Sequence, residues 1–87
     1  MRLADLDPKL EGDLANGVLR FDCPFPGHTH KLRIRVSHAP PHMDGEAHVW
    51  QASGTFPDTL TITPSINACR PDFFDCWHGI IHAGEVR

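Results

Sequence analysis

Two short clusters carry the residue types that hold metals. The first runs Cys23-Pro24-Phe25-Pro26-Gly27-His28-Thr29-His30, and the second is Cys76-Trp77-His78. In the first, a Pro/Gly-rich turn separates a thiol from two imidazoles and brings donors back towards one point, as a tetrahedral ion requires. In the second, residues i and i+2 of a strand share a face, so Cys76 and His78 can grip one ion while Trp77 turns away. Two Cys and two His close a structural zinc site and leave no coordination position for a substrate. His28 competes with His30 for one place, and Cys69 is a third thiol able to replace a His. His38, His42 and His48 surround a Pro-rich loop and read as solvent-facing residues, with a second metal site as the weaker alternative.

Other chemistries have thinner support. Ser65 follows Pro64, and Asp72, Asp75 and Glu85 lie near the second cluster, which sketches a hydrolase without fixing its geometry. No catalytic residue is assigned on this basis. There is no zincin-like His-Glu pair on a helix and no Gly-rich phosphate loop. Arg20, Lys31, Arg33 and Arg35 form a cationic stripe that would track a phosphate backbone in a nucleic-acid-binding zinc domain. The plainer meaning of charges alternating with apolar residues is the solvated side of a strand.

The elements that must position these residues are short. Eight Pro and seven Gly punctuate the chain throughout. Leu32, Ile34 and Val36 alternate with Lys31, Arg33 and Arg35, which predicts a strand over 31–37 with one buried face. Leu14 to Phe21 reads as a hairpin about the turn dipeptide Asn16-Gly17. Ala47 to Ala52 reads as a strand carrying Trp50 to the core. Thr59 to Thr63 reads as another, ended by Pro64 or placed by it at an edge. Phe73 to His82 is a last apolar run, closed by Ala83-Gly84. Helix is limited to a turn after Pro8. The expected fold is a small all-β domain, mainly antiparallel, of five or six short strands spanning residues 1–87, with 1–13 as an N-terminal turn or extension.

Composition bounds the rest. A chain of 87 residues, 40% hydrophobic, builds a small core that benefits from a metal or a partner. No apolar run reaches the roughly 18 residues of a membrane span, and the N-terminus is too polar for a signal peptide, so a cytoplasmic protein is expected. In that compartment clustered Cys and His hold metal more often than they form disulfides. A net charge of −3 argues against a dedicated nucleic-acid binder.

An ordered series of blocks extends this reading: Phe21-Asp22-Cys23-Pro24 before His30-Lys31-Leu32, then Trp50-Gln51-Ala52-Ser53-Gly54, then Thr59 through Pro64-Ser65-Ile66, then Cys76-Trp77-His78-Gly79-Ile80-Ile81, and finally Gly84-Glu85-Val86. The series resembles the family catalogued as domain of unknown function 6527, found in bacteriophages, prophages and bacteria, which also has relatives beside bacterial ubiquitin-like conjugation genes. The resemblance covers most of the chain from Phe21 onward. It implies a zinc-stabilised β domain with Cys23, His30, Cys76 and His78 as ligands, His28 and Cys69 being the substitutes. Two departures from the family pattern bear on that set: an insertion from Asn67 to Asp75 carrying Cys69, and a Cys-x-Trp-His block shortened to Cys-Trp-His. The function expected is a non-enzymatic, phage-type accessory module that binds a host or phage protein. A nucleic-acid-binding zinc domain and a metal-dependent hydrolase are the alternatives.

Overall fold

A computed structural model describes residues 1–24, 27, 30–43, 48–67 and 77–87, with the main chain alone at 67. A 3₁₀ turn at Leu3–Leu6 precedes seven strands: β1 (Lys9–Asp13), β2 (Asn16–Asp22), β3 (Lys31–Ser37), β4 (Val49–Ser53), β5 (Thr61–Asn67), β6 (His78–His82) and β7 (Glu85–Val86). They form a single sheet in sequence order, antiparallel at every step except the parallel pair β3–β4. The all-β expectation holds, with seven strands rather than five or six.

The sheet curls. Phe21 on β2 and Trp77 just before β6 meet edge to face with ring centroids 6.0 Å apart, although three strands separate β2 from β6 in the sheet. Leu3, Leu6, Leu19, Phe21, Ile34, Val36, Leu60, Ile62, Ile66, Trp77, Ile81 and Val86 fill the enclosed side. The N-terminus is part of this closure. Arg2 bridges Glu85 on β7, the Leu3 amide donates to the Gly84 carbonyl at 2.8 Å, and Leu3 and Leu6 are buried.

Three local expectations shift. The first hairpin turns at Leu14-Ala15, not at Asn16-Gly17, which instead begin β2. The Asp13 carboxylate accepts from the amides of Ala15 and Asn16, both at 2.9 Å, and this Asx-type turn wins the register. Gly17 is needed because a Cβ there would strike the carbonyl oxygens of Asp13 and Glu11. The N-terminal helical turn lies before Pro8, and Lys9–Asp13 is a strand.

Pro64 neither ends its strand nor lies at an edge. β5 runs on to Asn67 between β4 and β6. The β5–β6 register jumps between Ile62↔Ile81 and Ile66↔Gly79, so three residues of β5 stand against Ile80 alone. A bulge of this kind interrupts the ladder, and Pro64 sits where its missing N–H costs no regular pairing.

Candidate active site

The bulge re-aims the residues that follow it. Ile66 points into the core, so its neighbour Ser65 faces outward. With Ile66 opposite Gly79 and Asn67 opposite His78, Ser65 and His78 become diagonal neighbours on the outer face. Ser65 Oγ lies 3.2 Å from His78 Nε2, and both side chains are exposed to solvent. With the imidazole proton on Nδ1, the Ser65 hydroxyl donates to Nε2. This is the geometry in which a general base takes the proton of a nucleophile.

The surroundings hold both partners. Trp50, half-buried at the start of β4, donates its indole N–H to the Ser65 carbonyl at 3.3 Å. His48 meets the Trp50 ring edge-on at 5.9 Å. Beneath His78, Gly79 leaves no room for a side chain: a Cβ there would run into the Arg87 carbonyl and lie 2.6 Å from the Trp77 ring. Ile80 and Arg87 exchange backbone hydrogen bonds of 2.9 and 3.0 Å, which ties the strand carrying His78 to the C-terminus. Ile80 is exposed on the same side as His78.

Of the expected metal ligands, Cys23, His30 and His78 are among the described residues. Cys23 is buried at the end of β2, and its amide donates to the His30 carbonyl at 3.0 Å across the turn into β3. The two therefore face each other as a cross-strand pair. His78 is engaged with Ser65. Cys76, Cys69 and His28 lie outside the described residues, as do Asp72 and Asp75. Among the described residues no three of His, Cys, Asp and Glu come together to hold an ion.

The cationic stripe is half neutralised. Arg20 pairs with Glu11 at 2.9 Å, and Lys31 pairs with Asp22 at 2.7 Å and Asp7 at 3.1 Å. Arg33 and Arg35 meet no carboxylate among the described residues. Two open cations are a poor track for a phosphate backbone, which favours many contacts at once. His38 donates through Nδ1–H to the Ala52 carbonyl at 3.0 Å, and its own carbonyl accepts from the Gln51 side-chain amide at 3.3 Å. His42 pairs through its backbone with Val49.

The model of the family described as "Bacterial ubiquitination-like system serine protease (BubE)" matches residues 5–87. No curated protein and no solved structure matches the chain. The family match corrects the resemblance to domain of unknown function 6527. It also overturns the expectation of a non-enzymatic, phage-type zinc module, together with its nucleic-acid-binding and metal-hydrolase alternatives, because the family is one of serine proteases. The residue pair consistent with that chemistry was visible in the sequence only as two unrelated candidates, Ser65 in a sketched hydrolase and His78 in a metal set. With all but its first four residues matched, the chain belongs to the BubE family of bacterial ubiquitination-like system serine proteases.

Proposed function

We propose that this protein hydrolyses peptide or isopeptide bonds in a protein substrate of a bacterial ubiquitination-like system, with Ser65 as nucleophile and His78 as general base. The observation that carries the reading is the 3.2 Å contact between Ser65 Oγ and His78 Nε2 in a chain of a serine protease family. Family membership implies protein partners, and the exposure of both side chains suits a substrate too large to enter a closed pocket.

The step balances with these two residues. His78 Nε2 takes the hydroxyl proton as Ser65 Oγ forms a bond to the scissile carbonyl carbon. The imidazolium then passes that proton to the leaving nitrogen as the C–N bond breaks, leaving an acyl ester on Ser65. Water attacks the ester, gives its proton to Nε2, and the C–Oγ bond breaks. His78 returns a proton to Oγ, and the acid product departs. Trp50 acts as a positioning residue, because its N–H holds the carbonyl of the residue that bears the nucleophile.

The test is covalent labelling by a fluorophosphonate, which reacts with an activated serine. Labelling at Ser65, lost in both Ser65→Ala and His78→Ala, is the expected result. Labelling that is absent in the native protein, or that persists in His78→Ala, overturns the reading.

A structural zinc is a separate reading, favoured by the Cys23–His30 pair across the β2–β3 turn. With His78 engaged by Ser65, the remaining expected donors are Cys23, His30 and Cys76, and the sequence offers Cys69 as the fourth. Elemental analysis of protein purified without chelator tests it: one zinc per chain supports this site, and its loss in Cys23→Ser but not in Ser65→Ala separates it from the catalytic pair. A metal-free native protein overturns it.

A further inference from the structure

Ile80 is one of two large apolar side chains that stand exposed among the described residues, the other being Met1. A single exposed isoleucine is ordinary on a protein surface. What distinguishes this one is its place, which two recorded features fix. Along β6, Ile80 follows His78 by two residues and its neighbour Ile81 is buried, so the His78 and Ile80 side chains both face outward. At about 3.4 Å per residue, their main chains lie roughly 7 Å apart. Across the sheet, the pairs Ile62↔Ile81 and Ile66↔Gly79 bracket the bulge, and Ile80 is the one residue of β6 between them. It therefore stands against Thr63, Pro64 and Ser65, all three of them exposed.

The strand is held at this point. The Ile80 amide donates to the Arg87 carbonyl at 3.0 Å, and the Ile80 carbonyl accepts from the Arg87 amide at 2.9 Å. With both main-chain groups engaged there, the side chain is what Ile80 offers to the outer face.

The chemistry of the Ser65–His78 pair gives this place a meaning. His78 Nε2 passes its proton to the leaving nitrogen, so that nitrogen must come within hydrogen-bonding distance of the imidazole. The part of the substrate that departs as an amine therefore lies on the β6 side, while the acyl part stays bonded to Ser65 on β5. The outward side chain that follows His78 on β6 is Ile80. Its exposed surface is apolar, and exposed Pro64 in the bulge adds to it. Covering such surface is favourable when the group that covers it is apolar too.

We propose that Ile80 is the contact for the leaving-group side of the scissile bond, and that it favours an apolar side chain on the residue supplying the leaving nitrogen. The proposal rests on the catalytic reading of Ser65 and His78, and its test reads the two separately. p-Nitrophenyl acetate acylates an activated serine and releases p-nitrophenolate, which is followed by absorbance. The acetyl ester on Ser65 is then shared between water and an added amine. The amine attacks the acetyl carbon from the leaving-group side, its proton passes through Nε2 to Oγ, and the C–Oγ bond breaks to give an N-acetyl amide.

Leucinamide and glycinamide are compared at equal concentration by the ratio of N-acetyl amide to acetate, after subtracting the background seen with Ser65→Ala. The leucinamide ratio should exceed the glycinamide ratio about fivefold, because an open surface supplies only part of the burial of a leucine side chain. Ile80→Thr, which keeps a β-branched residue at an exposed strand position, should bring the two ratios together. His82→Gln, at the next outward position of β6, should leave the preference intact. Equal ratios in the native protein, a preference that survives Ile80→Thr, or one lost as fully in His82→Gln overturns the proposal, while p-nitrophenolate release still upholds Ser65. Loss of release in folded Ile80→Thr overturns it as well, since the side chain would then serve the acyl half of the reaction. Release no faster in the native protein than in Ser65→Ala removes the catalytic reading and the proposal with it.

Discussion

The β2–β3 hairpin and the β5–β6 pair are built from similar lengths of chain and differ in regularity. β2 and β3 pair without interruption through seven positions, from Asn16↔Ser37 to Asp22↔Lys31. β5 and β6 have three recorded pairs and a register break. The regular pair supplies core on one side and charges on the other, of which Arg20 and Lys31 are paired. The broken pair supplies the one serine–imidazole contact among the described residues. Regular pairing presents side chains in fixed rows, and the bulge at Thr63–Ser65 departs from them just where Ser65 meets His78.

If the broken pair carries the chemistry, its removal should cost activity and little else. Ser65→Ala and His78→Ala should each lower kcat by about ten-thousandfold or more, and the double variant should fall little further, because nucleophile and base act as a unit. Neither side chain is buried, so thermal melts of the singles should stay near the native midpoint. Losses that multiply in the double variant would show two independent roles and break the comparison.

Gly79 sharpens it from the structural side. Gly79→Ala places a methyl group against the Arg87 carbonyl and the Trp77 ring, neither of which is a flexible side-chain end. A loss of about 2–3 kcal/mol in denaturant unfolding is expected, as for overpacking in a tight interior. Gly27→Ala, where nothing among the described residues lies within 4 Å of the added Cβ but φ is +87°, gives the contrast: its cost should come from the backbone, about 1–2 kcal/mol. A smaller loss at Gly79 than at Gly27 would mean that the strand beneath His78 yields readily.

How much of this was legible in the sequence follows the same division. The 31–37 strand was readable to the residue because Leu32, Ile34 and Val36 alternate without a break. The closing turn at Ala83-Gly84 followed from the last apolar run, whereas the tryptophan expected in the core was Trp50, and it is Trp77 that is buried. The register of the first hairpin was misread because the Asp13 carboxylate organises a turn two residues earlier than the Asn-Gly dipeptide suggests. The Ser65–His78 contact was missed for a related reason. Pro64 signals the end of a strand, and only a register shift lets the strand continue with Ser65 facing His78. His78 also carries a plausible alternative meaning in Cys76-Trp77-His78, and residue type alone does not separate a ligand from a base.

Trp50→Phe probes how firmly the two regions are joined. It keeps the ring and removes the N–H that holds the Ser65 carbonyl. Because the bond is one neutral contact worth about 1 kcal/mol, kcat should fall about fivefold with KM little changed. A rise in KM alone would assign the ring to substrate contact instead of nucleophile placement.

The smallest effect belongs to the regular region. Lys31 bridges Asp22 on the neighbouring strand and Asp7 in the segment before β1. The hydrogen bond from Lys31 is the leading reason that the Asp7 carboxyl titrates below its ordinary value, with the charges of Lys9 and Lys31 adding to it. A carboxyl lowered in the folded state stabilises the fold above its unfolded value, and that contribution disappears as pH falls through the lowered one. The window is therefore acidic, below about pH 4. Since Asp7 is fully open to solvent, Asp7→Asn should barely move the melting temperature at neutral pH, and the small difference between variant and native should vanish in acid. Hydrolysis should be unaffected, because this cluster sits on the paired hairpin and not on the strands bearing Ser65 and His78. A loss of activity in Asp7→Asn without a loss of stability would mean that the two regions are coupled through the sheet.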